Sequence, residues 1–169
     1  STDELKHLSA AIGATGSVGM YYIKGITPEA DAVASPGEKM ELEQGDIKTF
    51  YETHGEADVV AIGCPHCSAL ELHRIYELLK TEGQGRKVSR DFFIFTARAI
   101  KDRMQDVVKK IEAYGVKVIC DTCFVVSPAF ETYNSVVTNS GKMLRYVPLL
   151  CGRAAVRLCT TEECVRLAF

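Results

Sequence analysis

The sequence has little of what marks a membrane protein, a secreted protein or a nucleic-acid-binding protein. No stretch approaches the roughly 18 to 20 continuous apolar residues that a bilayer-spanning helix needs. The first residues, STDELKHLSAAIG, are too polar for the apolar region of a signal peptide. The net charge is only -2, and no Lys/Arg-rich block supplies a local basic surface for nucleic acid. We therefore expect a cytoplasmic protein with no membrane or nucleic-acid partner, and a small or metal-assisted ligand is favoured.

Length and composition are those of an ordinary folded domain. The 169 residues allow one domain with a substantial core but are too few for two full domains. Apolar residues make up 47% and charged residues 25% of the chain, which argues against disorder, collagen-like repeats and disulfide-stapled scaffolds. The first residue is Ser and not Met, so we expect a chain that is processed, tagged or part of a longer protein.

Residues 56–169 alternate apolar strands with helices, which predicts an α/β domain. The apolar runs do not alternate with polar residues, and helices of ten or more residues separate them, so the strands are expected to be buried on both faces of a parallel sheet. The predicted strands are 57–63, 91–97, 116–121 and 154–160. The expected architecture is a three-layer domain with a mostly parallel sheet of about four strands.

Residues 1–55 are predicted to form a smaller α+β extension that belongs to a preceding lobe. Apolar residues in 2–16 have helical spacing, and 46–55 is predicted to be a second short helix. Between them, SVGMYYIKGI at 17–26 is rich in residues that favour strands.

The seven cysteines are more than packing requires in a chain of this length. An odd number in a reducing compartment argues against a disulfide framework and favours metal ligands. Cys64 follows the first predicted strand and Cys123 lies past the end of the third, so both are expected at the sheet edge where α/β proteins bind ligands. Cys67 and Cys164 are lower-ranked ligands, and Cys67 is expected to face inward one helical turn beyond Cys64. The flanking residues predict that Cys120, Cys151 and Cys159 are buried as small apolar side chains.

Three kinds of site compete for these cysteines. Cys-Pro-His-Cys at 64–67 is typical of a thiol oxidoreductase, but a thioredoxin-like fold would place this motif near its first βαβ unit. The two CxxC pairs, 64/67 and 120/123, allow a zinc site, although the 52 residues from 68 to 119 exceed the roughly 15 to 20 of small zinc modules. An iron-sulfur cluster fits ligands that come from several strand ends.

Five other residues are candidates for supporting roles. Lys142 follows Ser140-Gly141 in a loop that could hold a carboxylate or phosphate, with Ser140 and Asn139 as second contacts. A nucleotide-binding P-loop is excluded, because the positions that need Gly and Ser or Thr hold Val136 and Met143. 

Near the cysteines, Pro65 suits a first helical position, which would place the Cys64 thiol beside a helix N-terminus and favour its thiolate. His66 is expected to donate a hydrogen bond to a cluster sulfur or to substrate. Asp121 is expected to accept backbone amide hydrogen bonds and so orient the ligand loop.

Four motifs occur in the order found in a known family. They are GITPEA at 25–30, GCPHCS at 63–68, DTC at 121–123 followed by VVSP, and TNSGK at 138–142. In these motifs the chain resembles the C-terminal part of the large subunit of the aconitase X family. The resemblance implies an aconitase-like fold and a hydro-lyase that removes water from a small hydroxy acid, with mevalonate 5-phosphate favoured and cis-3-hydroxy-L-proline as the alternative substrate. It also implies that Cys64 and Cys123 are cluster ligands and that Lys142 contacts substrate.

The chain lacks parts that the family pattern contains. The Cys-Thr-Pro motif that provides a third cluster cysteine is absent, and so is the small swivelling domain or subunit that covers the active site. The resemblance therefore implies a fragment that holds an iron-sulfur cluster poorly unless Cys67 or Cys164 substitutes, and that has little or no activity alone. A [4Fe-4S] cluster is favoured, with [2Fe-2S] and [3Fe-4S] as alternatives. An isolated α/β domain with free thiols or bound zinc and no catalytic activity remains the alternative of another class.

Overall fold

A parallel β-sheet forms the centre of the protein in the computed structural model, which describes residues 1–51, 57–151 and 155–169. Within these residues the strands are β1 (Val59–Cys67), β2 (Asp91–Thr96), β3 (Lys117–Cys120), β4 (Ser135–Thr138) and β5 (Ala155–Leu158). They lie in the order β3-β2-β1-β4-β5, and all neighbouring pairs are parallel. The predicted three-layer parallel α/β architecture is confirmed, with five strands where about four were expected.

Helices cover both faces of this sheet. They are α1 (Thr2–Gly16), α2 (Gln44–Tyr51), α3 (Ala69–Gly83), α4 (Arg98–Arg103), α5 (Gln105–Ala113), α6 (Gly141–Leu150) and α7 (Thr161–Ala168). Three of them begin with a capping box, in which Ser or Thr and a Glu three residues later satisfy free backbone N–H groups. No helix in the described ranges is long and apolar enough to cross a bilayer.

The sheet separates two hydrophobic cores. Side chains of α3, α5 and α7 pack on one face, and β1 contributes Val60, Ile62 and Cys67 to that core. Helix α6 and the aromatic rings of the loop after β3 pack on the other face, where β1 contributes Val59, Ala61 and Cys64. Val59 and Ala61 alternate with Val60 and Ile62 between the two faces, as successive strand residues do. The register shift after Ile62 then places Cys64 and Cys67 each on the face opposite to the one that strict alternation would give.

Strand β4 and helix α6 were not predicted from the sequence. The strand has only four residues, SVVT. Polar residues flank it in a segment without clear periodicity, so no strand pattern can be recognised there. It is nevertheless central, because it pairs with β1 and connects the sheet to β5. Strands β2 and β3 are added on one side of β1, whereas β4 and β5 are added on its other side. The strand order therefore reverses between β1 and β4, and α/β proteins bind ligands at such a switch point.

The regular structure that the N-terminal extension forms in its described residues is helical, and most of 17–43 is irregular. No strand forms in 17–26, contrary to the expected α+β character, because these residues have no neighbouring strand to pair with in the described part of the chain. Helix α2 ends at Tyr51. The remainder of the predicted helix 46–55, and the predicted domain boundary between residues 55 and 56, fall in 52–56, outside the described residues.

Candidate metal centre

The end of β1 carries a wide bulge that contains Cys64. Ile62 pairs with Ile94 and Cys67 pairs with Thr96, so four residues of β1 lie opposite the single residue Phe95. Gly63 opens the bulge with φ +108°, and a Cβ atom at this position would lie 2.2 Å from the Phe95 carbonyl oxygen. Only glycine therefore lets the chain pass so close to β2.

The helix predicted to start at Pro65 begins later. Pro65 lies in the extended bulge after a cis peptide bond, and α3 starts at Ala69 with Ser68 as its N-cap. The prediction that Cys64 lies beside the N-terminus of the following helix is therefore wrong. The helix that Cys64 does approach is α6, because the N-cap of α6, Ser140, donates a hydrogen bond to the Cys64 carbonyl oxygen.

The thiols of Cys64 and Cys123 lie near each other at the carboxyl edge of the sheet, close enough for each to shift the pKa of the other. Cys64 is buried and only 3% exposed, whereas Cys123 is partly exposed. Cys64 belongs to β1 and Cys123 to the loop after β3, two strands that β2 separates. The two cysteines predicted first as ligands are thus brought together by the fold.

The environment of this pair favours one thiolate. Interaction with the Cys64 thiol lowers the pKa of Cys123 to about 5, against the effect of burial and with help from the backbone N–H groups of Val126 and Val125 and the charge of Lys142. The same interaction, burial and the charge of Cys123 raise the pKa of Cys64. A pair that shares one proton in this way titrates as a unit. Two such sulfur atoms suit a soft metal or an iron-sulfur cluster.

Lys142 and Ser140 stand at the N-terminus of α6 in different roles. Lys142 is partly exposed, its charge acts on both cysteines, and its Nζ lies 5.8 Å from the ring centroid of Tyr146. Ser140 is 0% exposed; its hydroxyl donates to the Cys64 carbonyl oxygen and accepts the N–H of Met143 at 3.0 Å. Because the Ser140 hydroxyl is committed to these two bonds, we do not propose a substrate contact for it.

Asn139 faces a cavity away from the cysteine pair. Its Nδ2 donates to Thr161 Oγ1 at 3.0 Å, at the start of α7. The cavity has a volume of about 380 Å³ and lies between α1, α3 and α7, with His7, Cys159 and Arg74 among its lining residues. Of the three predicted substrate contacts, Lys142 and Ser140 therefore lie beside the cysteine pair, and only Lys142 is free to contact a substrate there.

His66 and Asp121 brace the two cysteine segments. The Nε2 atom of His66 lies 2.7 Å from the carbonyl oxygen of Thr122, so the ring bonds to the backbone beside Cys123. The predicted partners of His66 were a cluster sulfur or substrate. The carboxylate of Asp121 accepts the backbone N–H and the Nε–H of Arg98, each at 2.9 Å, and these bonds hold the loop after β3 against the start of α4.

Cys67 and Cys164 lie in the core on the opposite face of the sheet from the pair. They are 2% and 0% exposed, and burial raises the pKa of both thiols. Cys67 faces inward, but it lies in β1 and not one helical turn beyond Cys64, and its side chain enters the core on the face of the sheet away from Cys64. We therefore propose neither of them as a ligand. Among the residues that the structure describes, no group of three His, Cys, Asp or Glu side chains is arranged to hold a metal ion.

Sequence reasoning missed the polar contacts through which α1 docks on the bulge. Lys6 donates to the carbonyl oxygen of His66 at 2.9 Å and to the carboxylate of Glu71, and His7 Nε2 lies 2.6 Å from Glu71 Oε1. Ser68 donates to Asp3 at 2.8 Å. The capping box of Ser68 and Glu71 could be recognised in the sequence, but nothing local indicates that Lys6 and His7 contact it.

Glu71 is expected to make the stability of the protein depend on acid pH. Burial alone would raise the pKa of Glu71, but hydrogen bonds from His7, Lys6 and the Ser68 N–H outweigh it and lower this pKa to about 2. A carboxyl with a lowered pKa stabilises the fold above its unfolded pKa of about 4.3, and this stabilisation is lost as pH falls through about 2. Glu71→Gln should lower the free energy of unfolding by about 1–2 kcal/mol at pH 7 and by less at pH 3.

Glu77 provides the control for this measurement. It lies on the same helix and is paired only at 3.6 Å with the exposed Lys80, so Glu77→Gln should change the free energy of unfolding by less than about 0.5 kcal/mol. A Glu71→Gln effect that is equal at pH 7 and pH 3, measured by urea unfolding, would contradict the assignment.

The fold and the cysteine pair together define a class of protein. It is a parallel α/β domain that brings two thiol ligands together at a switch point from strands that are not neighbours. Family models assign residues 1–52 to the second domain and residues 57–169 to the third domain of aconitase X. The chain belongs to the aconitase X family, and the resemblance inferred from its four motifs is confirmed.

Relatives and a solved structure agree with this assignment. The chain is 45% identical to the phosphomevalonate dehydratase large subunit of Methanosarcina mazei, a match that covers 98% of the chain and 41% of the relative. It is 31% identical to the cis-3-hydroxy-L-proline dehydratase of Hypocrea jecorina, over 90% of the chain and 28% of the relative. The crystal structure of Thermococcus kodakaraensis aconitase X in its holo form superposes with a TM-score of 0.89 at 36% identity, over 100% of this chain and 45% of that one. The chain thus spans less than half the length of these relatives.

Proposed function

We propose that the chain is part of an iron-sulfur-dependent hydro-lyase that removes water from mevalonate 5-phosphate. The observation that carries this proposal is the pair of Cys64 and Cys123, which the fold brings near each other at the switch point of an aconitase X fold. The higher identity to phosphomevalonate dehydratase large subunits than to cis-3-hydroxy-L-proline dehydratases favours the phosphorylated substrate, with the hydroxyproline as the second candidate.

In this proposal Cys64 and Cys123 hold the cluster as thiolates. The two sulfur atoms, the N–H groups of Val125 and Val126 and the nearby ammonium of Lys142 form a donor set that fits part of such a site. When bound, the cluster supplies a Lewis-acidic iron that can polarise a substrate hydroxyl or carboxylate. We propose a [4Fe-4S] cluster whose remaining protein ligand lies in a part of the large subunit outside this chain, and a cytoplasmic enzyme.

Lys142 is proposed to bind an anionic group of the substrate. Its ammonium stands at the N-terminus of the ten-residue helix α6, whose free N–H groups and dipole also favour a negative charge. Arg145, one helical turn further along, is exposed and could serve as a second contact. A partner subunit is also proposed, since the relatives are described as large subunits. The present chain alone would then bind a cluster poorly and lack activity.

The competing thiol chemistries have less support. A redox-active Cys-Pro-His-Cys motif needs Cys64 and Cys67 to meet, but their side chains pack in different cores on opposite faces of the sheet. A four-cysteine zinc site from the two CxxC pairs would require the same contact. We therefore propose neither of these functions.

The test uses the full-length large subunit, co-expressed with its small partner and purified without oxygen. We expect bound iron and acid-labile sulfide, and a kcat/KM for mevalonate 5-phosphate that exceeds that for cis-3-hydroxy-L-proline by about a hundredfold or more. The opposite preference would replace the substrate while keeping the reaction class. A protein without iron and sulfide, inactive on both substrates, would overturn the proposal.

A further inference from the structure

The two proposed ligands come from strands that do not touch each other. Neighbouring strands lie roughly 4.8 Å apart, so β1 and β3, on either side of β2, are separated by about 10 Å. The thiols of Cys64 and Cys123 nevertheless lie close enough for each to shift the pKa of the other. No ladder of backbone hydrogen bonds can fix that approach, because β2 occupies the space between the two strands. Their separation must depend on contacts made beyond the strand ends.

The side chain of His66 makes such a contact. Its Nε2 lies 2.7 Å from the carbonyl oxygen of Thr122, so a residue two positions after Cys64 is bonded directly to the residue before Cys123. Since a carbonyl oxygen only accepts hydrogen bonds, Nε2 must carry the proton. A second, indirect connection runs through β2, where Thr96 donates to the Cys67 carbonyl oxygen at 2.7 Å and accepts the N–H of Asp121 at 3.1 Å.

The backbone of His66 is also held by a hydrogen bond. Its carbonyl oxygen accepts a hydrogen bond from Lys6 Nζ at 2.9 Å, and Lys6 is itself paired with Glu71 at the start of α3. Helix α1 therefore holds the backbone of His66, and the His66 ring is bonded to the backbone of Thr122. Because His66 is held at its backbone, its ring can set the distance between the segments that carry Cys64 and Cys123.

We propose that His66 is a positioning residue that sets the separation of the Cys64 and Cys123 thiols by joining their segments across the end of β2. Its relevance to a cluster rests on the proposed function, whereas its effect on the thiol pair does not. His66 acts through the backbone of Thr122, so it is not assigned a contact with substrate. Partners that orient metal ligands change metal affinity by about 10- to 100-fold when they are replaced.

Two variants of nearly equal side-chain size separate the hydrogen bond from packing. His66→Gln keeps an N–H donor at a similar distance from the backbone, and His66→Leu removes it. His73→Leu, on the exposed surface of α3, is the matched control for histidine loss. All variants are made in the full-length protein with its partner subunit, and thermal unfolding of the cluster-free form checks that they fold.

The first measurement needs no cluster. Phenylarsine oxide binds two adjacent thiols at once, so its affinity for the cluster-free protein depends on the separation of Cys64 and Cys123. The same measurement in a Cys123→Ser background gives the binding that does not involve this pair. We expect His66→Leu to weaken this binding about tenfold, with His66→Gln and His73→Leu within about twofold of wild type. The second measurement is the rate of iron loss from the reconstituted enzyme to a chelator, which should rise about tenfold in His66→Leu alone.

The outcomes separate the two proposals. Equal arsenical affinity in wild type and His66→Leu would overturn the positioning role, and so would a His66→Gln variant as defective as His66→Leu. If the arsenical pattern is as expected while the wild-type protein binds no iron or sulfide, the positioning role stands and the proposed function fails.

Discussion

Serine in place of Cys64 or Cys123 is expected to remove most of the iron from the full-length protein after anaerobic reconstitution with iron and sulfide. A serine hydroxyl does not ionise at neutral pH and is a harder donor than a thiolate, so it does not replace the ligand. We expect bound iron, measured per protein together with acid-labile sulfide, to fall by about tenfold or more in either variant. The proposed dehydratase activity should fall in parallel.

Cys151 and Cys159 provide the controls for this prediction. Both are buried, but Cys159 lies on the opposite face of the sheet, and Cys151 directs its thiol to the Val125 carbonyl oxygen at 3.6 Å. Serine at either position should cost some stability while leaving the iron content of the folded protein within about twofold of wild type. A Cys151→Ser variant that folds and loses as much iron as Cys64→Ser would show that the ligand pair is assigned wrongly.

Gly63→Ala is expected to be the most damaging single-methyl change in the bulge. The added Cβ would meet the backbone of Phe95 at 2.2 Å, and φ +108° is a conformation that alanine rarely adopts. Since the contacting atoms are backbone, neither side can yield without moving a strand. We expect the free energy of unfolding to fall by about 3 kcal/mol or more, measured by urea unfolding.

Gly85 separates the steric part of this effect from the conformational part. It also has a positive φ, +83°, but a Cβ there would meet no atom within 4 Å. Gly85→Ala should therefore cost about 1 kcal/mol from backbone conformation alone. If the two substitutions proved equally costly, the close approach of the bulge to β2 would not be what requires glycine at position 63.

Most of the regular secondary structure could be predicted because its signals are local. The apolar run at 57–63 and the helical spacing of apolar residues in 2–16 each identify their element without knowledge of the rest of the chain. The start of α3 was placed at Pro65, although the capping box of Ser68 and Glu71 marks it in the sequence. Strand β4 was not predicted, because its four residues are too few to show a strand pattern. The segment 17–26 was predicted wrongly, because strand propensity has no effect when no partner strand is available.

The sequence predicted which cysteines are the candidate ligands, but it did not predict the backbone geometry and the contacts that bring them together. Cys64 and Cys123 stood out because each follows a predicted strand, and the family motifs pointed to the same residues. The bulge of β1 was invisible in sequence, and it decides that Cys64 and Cys67 enter different cores. The contact of His66 with Thr122 was equally hidden, because it joins residues that are 56 positions apart.

The sequence by itself determined the α/β class, the family and the two cysteines at strand ends, because periodicity and short motifs are properties of neighbouring residues. Only the tertiary structure decided which thiols meet, since that depends on strand order and on which face of the sheet each side chain occupies. The order β3-β2-β1-β4-β5 keeps β1 and β3 apart, and the four-residue bulge with its glycine closes the gap. Cys67, three residues after Cys64, is separated from it by the thickness of a sheet, whereas Cys123 lies beside it.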